Sequence, residues 1–174
     1  MTGGTNRWQR RKCMDYQQPT LSRRVILFVC TGNTCRSPMA EALLNETASA
    51  HQSDIAAESA GLHASNGVPA TDSACVEMRK LGLDIGSHRS RRLTQDLIDR
   101  ADLVLAMSAV QRRRVAGSFP DARGKLVVLG DYAGIKGDVD DPFGGTPEAY
   151  SRCAEQLSWL VAALHARLIR ADDM

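Results

Sequence analysis

Hydrophobic positions in this chain fall into short unbroken runs separated by stretches of helical spacing. Val25-Ile-Leu-Phe-Val-Cys30 is a continuous apolar, β-branched run bounded by Arg24 and by Thr31-Gly32-Asn33. Such a run predicts a strand covered on both faces, as in a parallel sheet. Ser37-Pro38 then opens a segment in which Met39, Ala40, Leu43, Leu44 and Thr47 recur at helical spacing, with Pro38 suited to the first helical position. Ile55 to Ala60 predicts a second strand, Thr71 to Leu81 a helix closed by Gly82, and Leu103 to Met107 a third strand. Ser108 to Gly117 reads as a helix and Leu126 to Leu129 as a last strand. A long Gly- and Asp-rich loop leads to a final helix opened by Thr146-Pro147, in which Tyr150, Ala154, Leu157, Val161, Leu164 and Leu168 alternate at spacings of four and three.

Strands alternating with helices predict an α/β architecture: one parallel sheet with helices on both faces, its crossovers right-handed. Ligands of such sheets sit outside the carboxyl ends of the strands, which is where Cys30 falls. At 174 residues the chain has room for about one domain of roughly 150 residues. Its 43% hydrophobic and 24% charged composition builds an ordinary core and excludes disordered, collagen-like and coiled-coil classes.

The net charge of +2 is unevenly spread. Arg7, Arg10, Arg11, Lys12, Arg23 and Arg24 face one acid, Asp15, in the first 24 residues, so the body is mildly acidic. Residues 1–22 are expected to be a basic, solvated arm, with Met14 a candidate start, and residues 23–174 the folded domain. The arm is the one electrostatic candidate for an RNA or membrane surface; the body predicts neither nucleic acid nor membrane as partner. No run approaches the ~18 apolar residues of a membrane span, and no basic start leads into an apolar leader. Cys13, Cys30, Cys35, Cys75 and Cys153 are odd in number and irregular in spacing, which fits free thiols in a reducing, cytoplasmic compartment.

Chemistry concentrates in Cys30-Thr-Gly-Asn-Thr-Cys-Arg36-Ser37. A loop containing Gly32 and Asn33, both tolerant of left-handed backbone, can curl its N–H groups inward, and the following helix start adds its positive end. Arg36 adds a planar fork that matches two phosphoryl oxygens. An anion cradle of this kind suits a thiolate nucleophile at Cys30. Ser37 is either a donor to the Cys30 sulfur or the cap of the helix. Gly137-Asp138-Val139-Asp140-Asp141-Pro142-Phe143 offers three acids, of which Asp141, before Pro142, is the best held. It reads as a general acid and base or as part of a solvated turn, and Phe143 as a pocket wall or as packing. No Walker-type loop and no zinc spacing occurs, so no cofactor, metal or nucleotide is expected.

At these residues the sequence resembles the low-molecular-weight protein tyrosine phosphatase family, from about residue 25 to 170. The family loop V-C-x-G-N-x-C-R-S-P stands here as Val29 to Pro38, and its acid loop D-P-[FY] as Asp141-Pro142-Phe143. The resemblance implies a flavodoxin-like, three-layer domain with sheet order 2-1-3-4. It implies that Cys30 forms a phosphocysteine, Arg36 clamps the phosphoryl group, and Asp141 acts as acid and then base. Thr31, Gly32, Asn33, Thr34, Cys35 and Phe143 would contact substrate, while Asn33, Ser37, Ser59 and His88 match the network that supports the loop.

Three strings, Cys30 to Arg36, Ala101 to Met107 and Asp138 to Gly145, are most similar to the bacterial protein arginine phosphatase branch. There a threonine stands at the Thr34 position, a short polar wall that suits a guanidinium. Phosphorylated proteins are the implied partners and a monomer the implied state. Cys35 is placed to trap an oxidised Cys30 as a disulfide, or to pack as a buried thiol. Two other classes remain: an arsenate reductase, for which no resolving cysteine pair follows the middle helix, and a phosphate-binding module without turnover.

Overall fold

A continuous apolar strand needs cover on both sides, and β1 (Arg24–Cys30) obtains it at the interior of a parallel sheet, in a computed structural model that describes residues 23–172. The expected arm, residues 1–22, lies outside the described residues. After β1 come α1 (Arg36–Ala50), β2 (Ile55–Gly61), α2 (Asp72–Lys80), α3 (Gln95–Arg100), β3 (Leu103–Ala106) and α4 (Ala109–Ser118). A 3-10 turn (Pro120–Lys125) then leads to β4 (Leu126–Val128), α5 (Leu129–Ala133) and the long α6 (Pro147–Asp172). The strands are parallel in the order β2-β1-β3-β4, as expected.

Alternation along β1 divides the core in two. Ile26, Phe28 and Cys30 face a cluster with Met39 and Leu44 of α1 and Leu157 and Leu164 of α6. Leu27 and Val29 face the other, with Leu97 and Ile98 of α3, Val115 of α4 and Leu126. Every member of the heptad-like series on α6, from Tyr150 to Leu168, is buried.

Two boundaries near the site differ from expectation. α1 begins at Arg36 rather than Pro38, with Cys35 in the cap position and no side-chain cap. Pro38 therefore stands third in the helix, where its missing N–H is still one the first turn leaves unpaired. Leu129 opens α5 rather than ending β4. The elements α3, the 3-10 turn and α5 have no more than six residues each, too few for a hydrophobic period to appear.

Because the strands run parallel, their carboxyl ends gather at one edge. Gly61, the last residue of β2, lies against the loop after β1, and a Cβ there would stand 2.8 Å from the Thr31 carbonyl oxygen and 2.9 Å from the Asn33 nitrogen. These are backbone atoms and cannot step aside without moving the loop. Gly61→Ala should therefore lower stability by about 1–3 kcal/mol, the usual range for overpacking. It should also displace the loop, so loss of turnover should exceed what the urea midpoint accounts for.

Candidate active site

The loop between β1 and α1 is organised around one buried side chain. Asn33 is inaccessible to solvent and adopts left-handed backbone at φ 57°, while Gly32, the other residue expected to tolerate that conformation, does not use it. The Asn33 N–H donates to the Cys30 sulfur at 3.2 Å. Its side-chain Oδ1 accepts the Arg91 backbone N–H at 2.9 Å, which turns Nδ2 toward the Ser37 and Ser59 hydroxyl oxygens at 2.9 and 2.8 Å. The Asn33 carbonyl accepts from His88 Nε2 at 2.8 Å. With its oxygen receiving from Asn33, Ser37 has its own proton free for the Cys30 sulfur, 3.0 Å away. Cys35, not Ser37, occupies the cap position, so Ser37 serves the sulfur.

Arg36, the first helical residue, is buried and aims its guanidinium across the sheet edge. Nη1 donates to the Val139 carbonyl at 3.2 Å and Nη2 to Asp141 Oδ2 at 2.6 Å. Val139 is buried and its N–H is bound to the Met107 carbonyl at 2.8 Å, so the acid loop is pinned to the end of β3. Asp141 is half exposed, and its Oδ1 accepts the Phe143 N–H at 3.2 Å. The three acids of this loop separate by position: Asp138 accepts from the Ala109 N–H at the start of α4, Asp140 faces a second cleft, and Asp141 borders the loop after β1.

Cys30, Thr31, Gly32, Thr34, Cys35, Arg36, Asp141 and Phe143 border one cleft of about 330 Å³. Asn33, Ser37, Ser59 and His88 lie beneath it as the supporting layer. The first turn of α1 carries no acid, so nothing within that turn offsets the positive end of the helix, whose first residue, Arg36, borders the cleft. Among the described residues, no three His, Cys, Asp or Glu side chains gather as a metal-binding group.

Sequence reading missed several contributors. His63, Ser65 and Val68 complete the cleft wall from the loop after β2. Gln111 donates to the Thr31 hydroxyl at 3.1 Å, and Tyr150 lies 3.6 Å from the Cys35 sulfur. Glu41 receives the Ser59 hydroxyl proton. The i, i+4 relation of Ser37 and Glu41 on α1 was a signal for the last of these, since it puts both on one helix face.

Burial pushes the Glu41 carboxyl up, although the Ser59 hydrogen bond and the His88 and Arg91 charges pull it down and Glu58 adds to the rise. Burial likewise pushes the Cys153 thiol up to about 12. For Glu41 the folded protein holds the proton more tightly than the unfolded chain, so the carboxyl's effect is full below about pH 4.5 and stability is lost as pH rises through the elevated folded value. Glu41→Gln keeps the acceptor and removes the titration. Its urea midpoint relative to wild type should therefore rise between pH 4 and pH 7; a difference that does not change with pH would contradict the raised value.

The Arg36–Asp141 pair makes a second prediction. With Arg36 as the phosphoryl clamp that the resemblance implies, an incoming phosphoryl group would share one guanidinium with Asp141, and Asp141→Asn should tighten competitive inhibition by inorganic phosphate. Turnover should fall by about 10²–10⁴, the usual contribution of a positioned acid. Unchanged phosphate inhibition would show that the carboxylate does not compete for Arg36.

The sequence pattern described as low molecular weight phosphotyrosine protein phosphatase matches residues 25–173. The chain is 40% identical to a protein-arginine-phosphatase of Bacillus subtilis (strain 168) over 144 residues, 82% of this chain and 95% of that protein. It is 41% identical over 120 residues to EpsP of Ralstonia solanacearum, named a probable low molecular weight protein-tyrosine-phosphatase, covering 69% of this chain and 79% of that one. Among solved structures, a cysteine-to-serine mutant of the arginine phosphatase YwlE with a phosphorylated active-site serine superposes with a TM-score of 0.80. It is 39% identical and covers 83% of this chain and 95% of that one. Because the sequence match runs from β1 through α6 and the fold is shared over most of each chain, the protein belongs to the low molecular weight phosphotyrosine protein phosphatase family.

Proposed function

We propose that this protein hydrolyses phosphorylated protein side chains through a phosphocysteine, with phosphoarginine the favoured residue. The observation that carries the reading is the meeting of the Cys30 thiol, the Arg36 guanidinium and the Asp141 carboxyl on one cleft. In the first step the Cys30 sulfur attacks phosphorus from inside the loop while Arg36 holds two equatorial oxygens. The bond to the leaving group breaks, and Asp141 supplies the proton to the departing guanidine nitrogen. In the second step Asp141 takes a proton from water, whose oxygen bonds to phosphorus as the P–S bond breaks. Inorganic phosphate leaves and the thiolate returns. The phosphorylated serine of the YwlE mutant supports the same intermediate.

Thr34 supports the arginine preference. Its short hydroxyl-bearing side chain borders the cleft, and a guanidinium has N–H donors to satisfy where an aryl ring has none. Phe143 favours the second reading, a tyrosine phosphatase: it is 69% exposed at the cleft and free to stack on a phenyl ring.

An arsenate reductase would pass its product to further cysteines. Cys75 and Cys153 are both buried, and a thiol pushed up to about 12, as Cys153 is, makes a poor resolving nucleophile. A binding module without turnover would have no use for an acid loop tied to the clamp. Cys35 also borders the cleft, and the proposed role of a disulfide partner for Cys30 predicts a Cys30–Cys35 cross-link in peroxide-treated protein.

The test is phosphate release from phosphoarginine- and phosphotyrosine-bearing proteins in parallel, with Cys30→Ser as the blank. Phosphoarginine should be preferred, and Thr34→Ile should erode that preference by about tenfold, the effect of one unpaired polar contact. Preference for phosphotyrosine would keep the mechanism and move the second reading to the front. Release from neither would overturn the phosphatase reading.

A further inference from the structure

The loop network has a direction, and it ends on a residue with no place in the two chemical steps. Asn33 Oδ1 accepts the Arg91 backbone N–H, so both Nδ2 hydrogens are spent on the Ser37 and Ser59 oxygens. Each serine receives one hydrogen and must send its own elsewhere. The Ser37 proton goes to the Cys30 sulfur, and the Ser59 proton goes to Glu41 Oε2.

Ser59 is 1% exposed, so without Glu41 its hydroxyl would be a buried donor lacking an acceptor. The nearest remedy is a flip of the Asn33 amide, which would offer Oδ1 to Ser59. That flip would also break the bond from Arg91 and present the amide to Ser37 in the wrong sense, drawing the Ser37 proton away from sulfur. We propose that Glu41 is a positioning residue: by taking the Ser59 proton it holds the Asn33 amide in one orientation and so commits the Ser37 proton to the Cys30 sulfur.

This rests on the phosphocysteine reading and names the step it affects. During hydrolysis of the intermediate, the water oxygen bonds to phosphorus, the P–S bond breaks with its electron pair remaining on sulfur, and the water proton passes to Asp141. The Ser37 hydrogen bond meets the charge that appears on sulfur, so losing the commitment slows this step most. The surroundings of Glu41 suit an acceptor that is held in place. Ser37 lies one turn before it on α1, and His88, Arg91 and Glu58 border the same shallow cleft behind the loop. Arg91 is engaged in turn by the Ser59 carbonyl at 2.8 Å and by Glu58 at 2.9 Å.

The experiment is pre-steady-state and steady-state hydrolysis of p-nitrophenyl phosphate by the full chain carrying Glu41→Ala, Glu41→Gln, Ser37→Ala, Ser59→Ala and the doubles Glu41→Ala/Ser37→Ala and Glu41→Ala/Ser59→Ala. Glu41→Ala should lower kcat and KM together by about tenfold, the kinetic equivalent of one hydrogen bond, with kcat/KM little changed and the burst of p-nitrophenolate preserved. Glu41→Gln, which still accepts the Ser59 proton, should restore kcat. In the Ser37→Ala and Ser59→Ala backgrounds the Glu41→Ala loss should vanish, because the route is already cut.

Multiplicative losses in either double variant, a fall in kcat/KM at constant kcat, or failure of Glu41→Gln to rescue would each overturn the proposal. If Glu41→Ala alone does not fold, Glu41→Gln against the near-isosteric Glu41→Met decides it: the first must resemble wild type, and the second, which leaves the Ser59 hydroxyl without an acceptor, must show the joint fall of kcat and KM. A wild-type protein with no Cys30-dependent burst would instead overturn the phosphatase reading, a result separable from any pattern among the Glu41 variants.

Discussion

Everything at the working edge of this protein depends on one amide that cannot rotate. Asn33 has no access to solvent and sits in left-handed backbone, a conformation that costs a non-glycine residue energy unless its surroundings demand it. Here they do, because its N–H, carbonyl, Oδ1 and Nδ2 are all bonded, to the Cys30 sulfur, His88, Arg91 and the two serines. A fully bonded amide of this kind has one orientation, and the curl of the loop follows from it. Gly61 completes the constraint from below, since the loop backbone rests where any larger residue would put its Cβ.

A rigid loop needs its partners brought to it, and the parallel sheet does that. β1 ends at Cys30, β2 ends at Gly61, and the residue after β3, Met107, accepts the Val139 N–H that anchors the acid loop. Arg36 closes the circuit by donating to the Val139 carbonyl and to Asp141. Asp141 is therefore located by a backbone tether two residues away and by Arg36 itself. Such a mounting leaves the Asp141 side chain half exposed at the cleft while its loop is held from two sides.

How much of this the sequence disclosed follows from how local each signal is. The buried strand Val25–Cys30, the loop with its cysteine and arginine, and the final helix are each written in a contiguous segment, so period and spacing reveal them. Asp141 was distinguishable from Asp138 and Asp140 because Pro142 acts on its immediate neighbour. By contrast α3 shows only Leu97 and Ile98 to the core, too few to display a period. Arg91 and Gln111 contribute one backbone N–H and one amide across 58 and 80 positions of sequence, and nothing in their own neighbourhoods marks them. Glu41 was the intermediate case: its spacing from Ser37 was visible, but its acceptor role required Ser59 from another strand.

The cysteines show why placement rather than burial makes a nucleophile. Cys30, Cys35, Cys75 and Cys153 are all buried. Burial alone disfavours a thiolate, as the Cys153 thiol at about 12 demonstrates, even with the Arg36 charge pulling the other way. Cys30 differs in its contacts: the Asn33 backbone N–H at 3.2 Å and the Ser37 hydroxyl at 3.0 Å both stand at its sulfur, on the wall of the cleft. Cys35 is bordered by hydroxyls of Thr34, Thr71 and Tyr150 at 3.6 to 3.7 Å, a looser shell with no N–H donor among its contacts. The same residue type in the same core thus spans inert packing and candidate chemistry, and what separates them is the number and direction of hydrogens aimed at the sulfur.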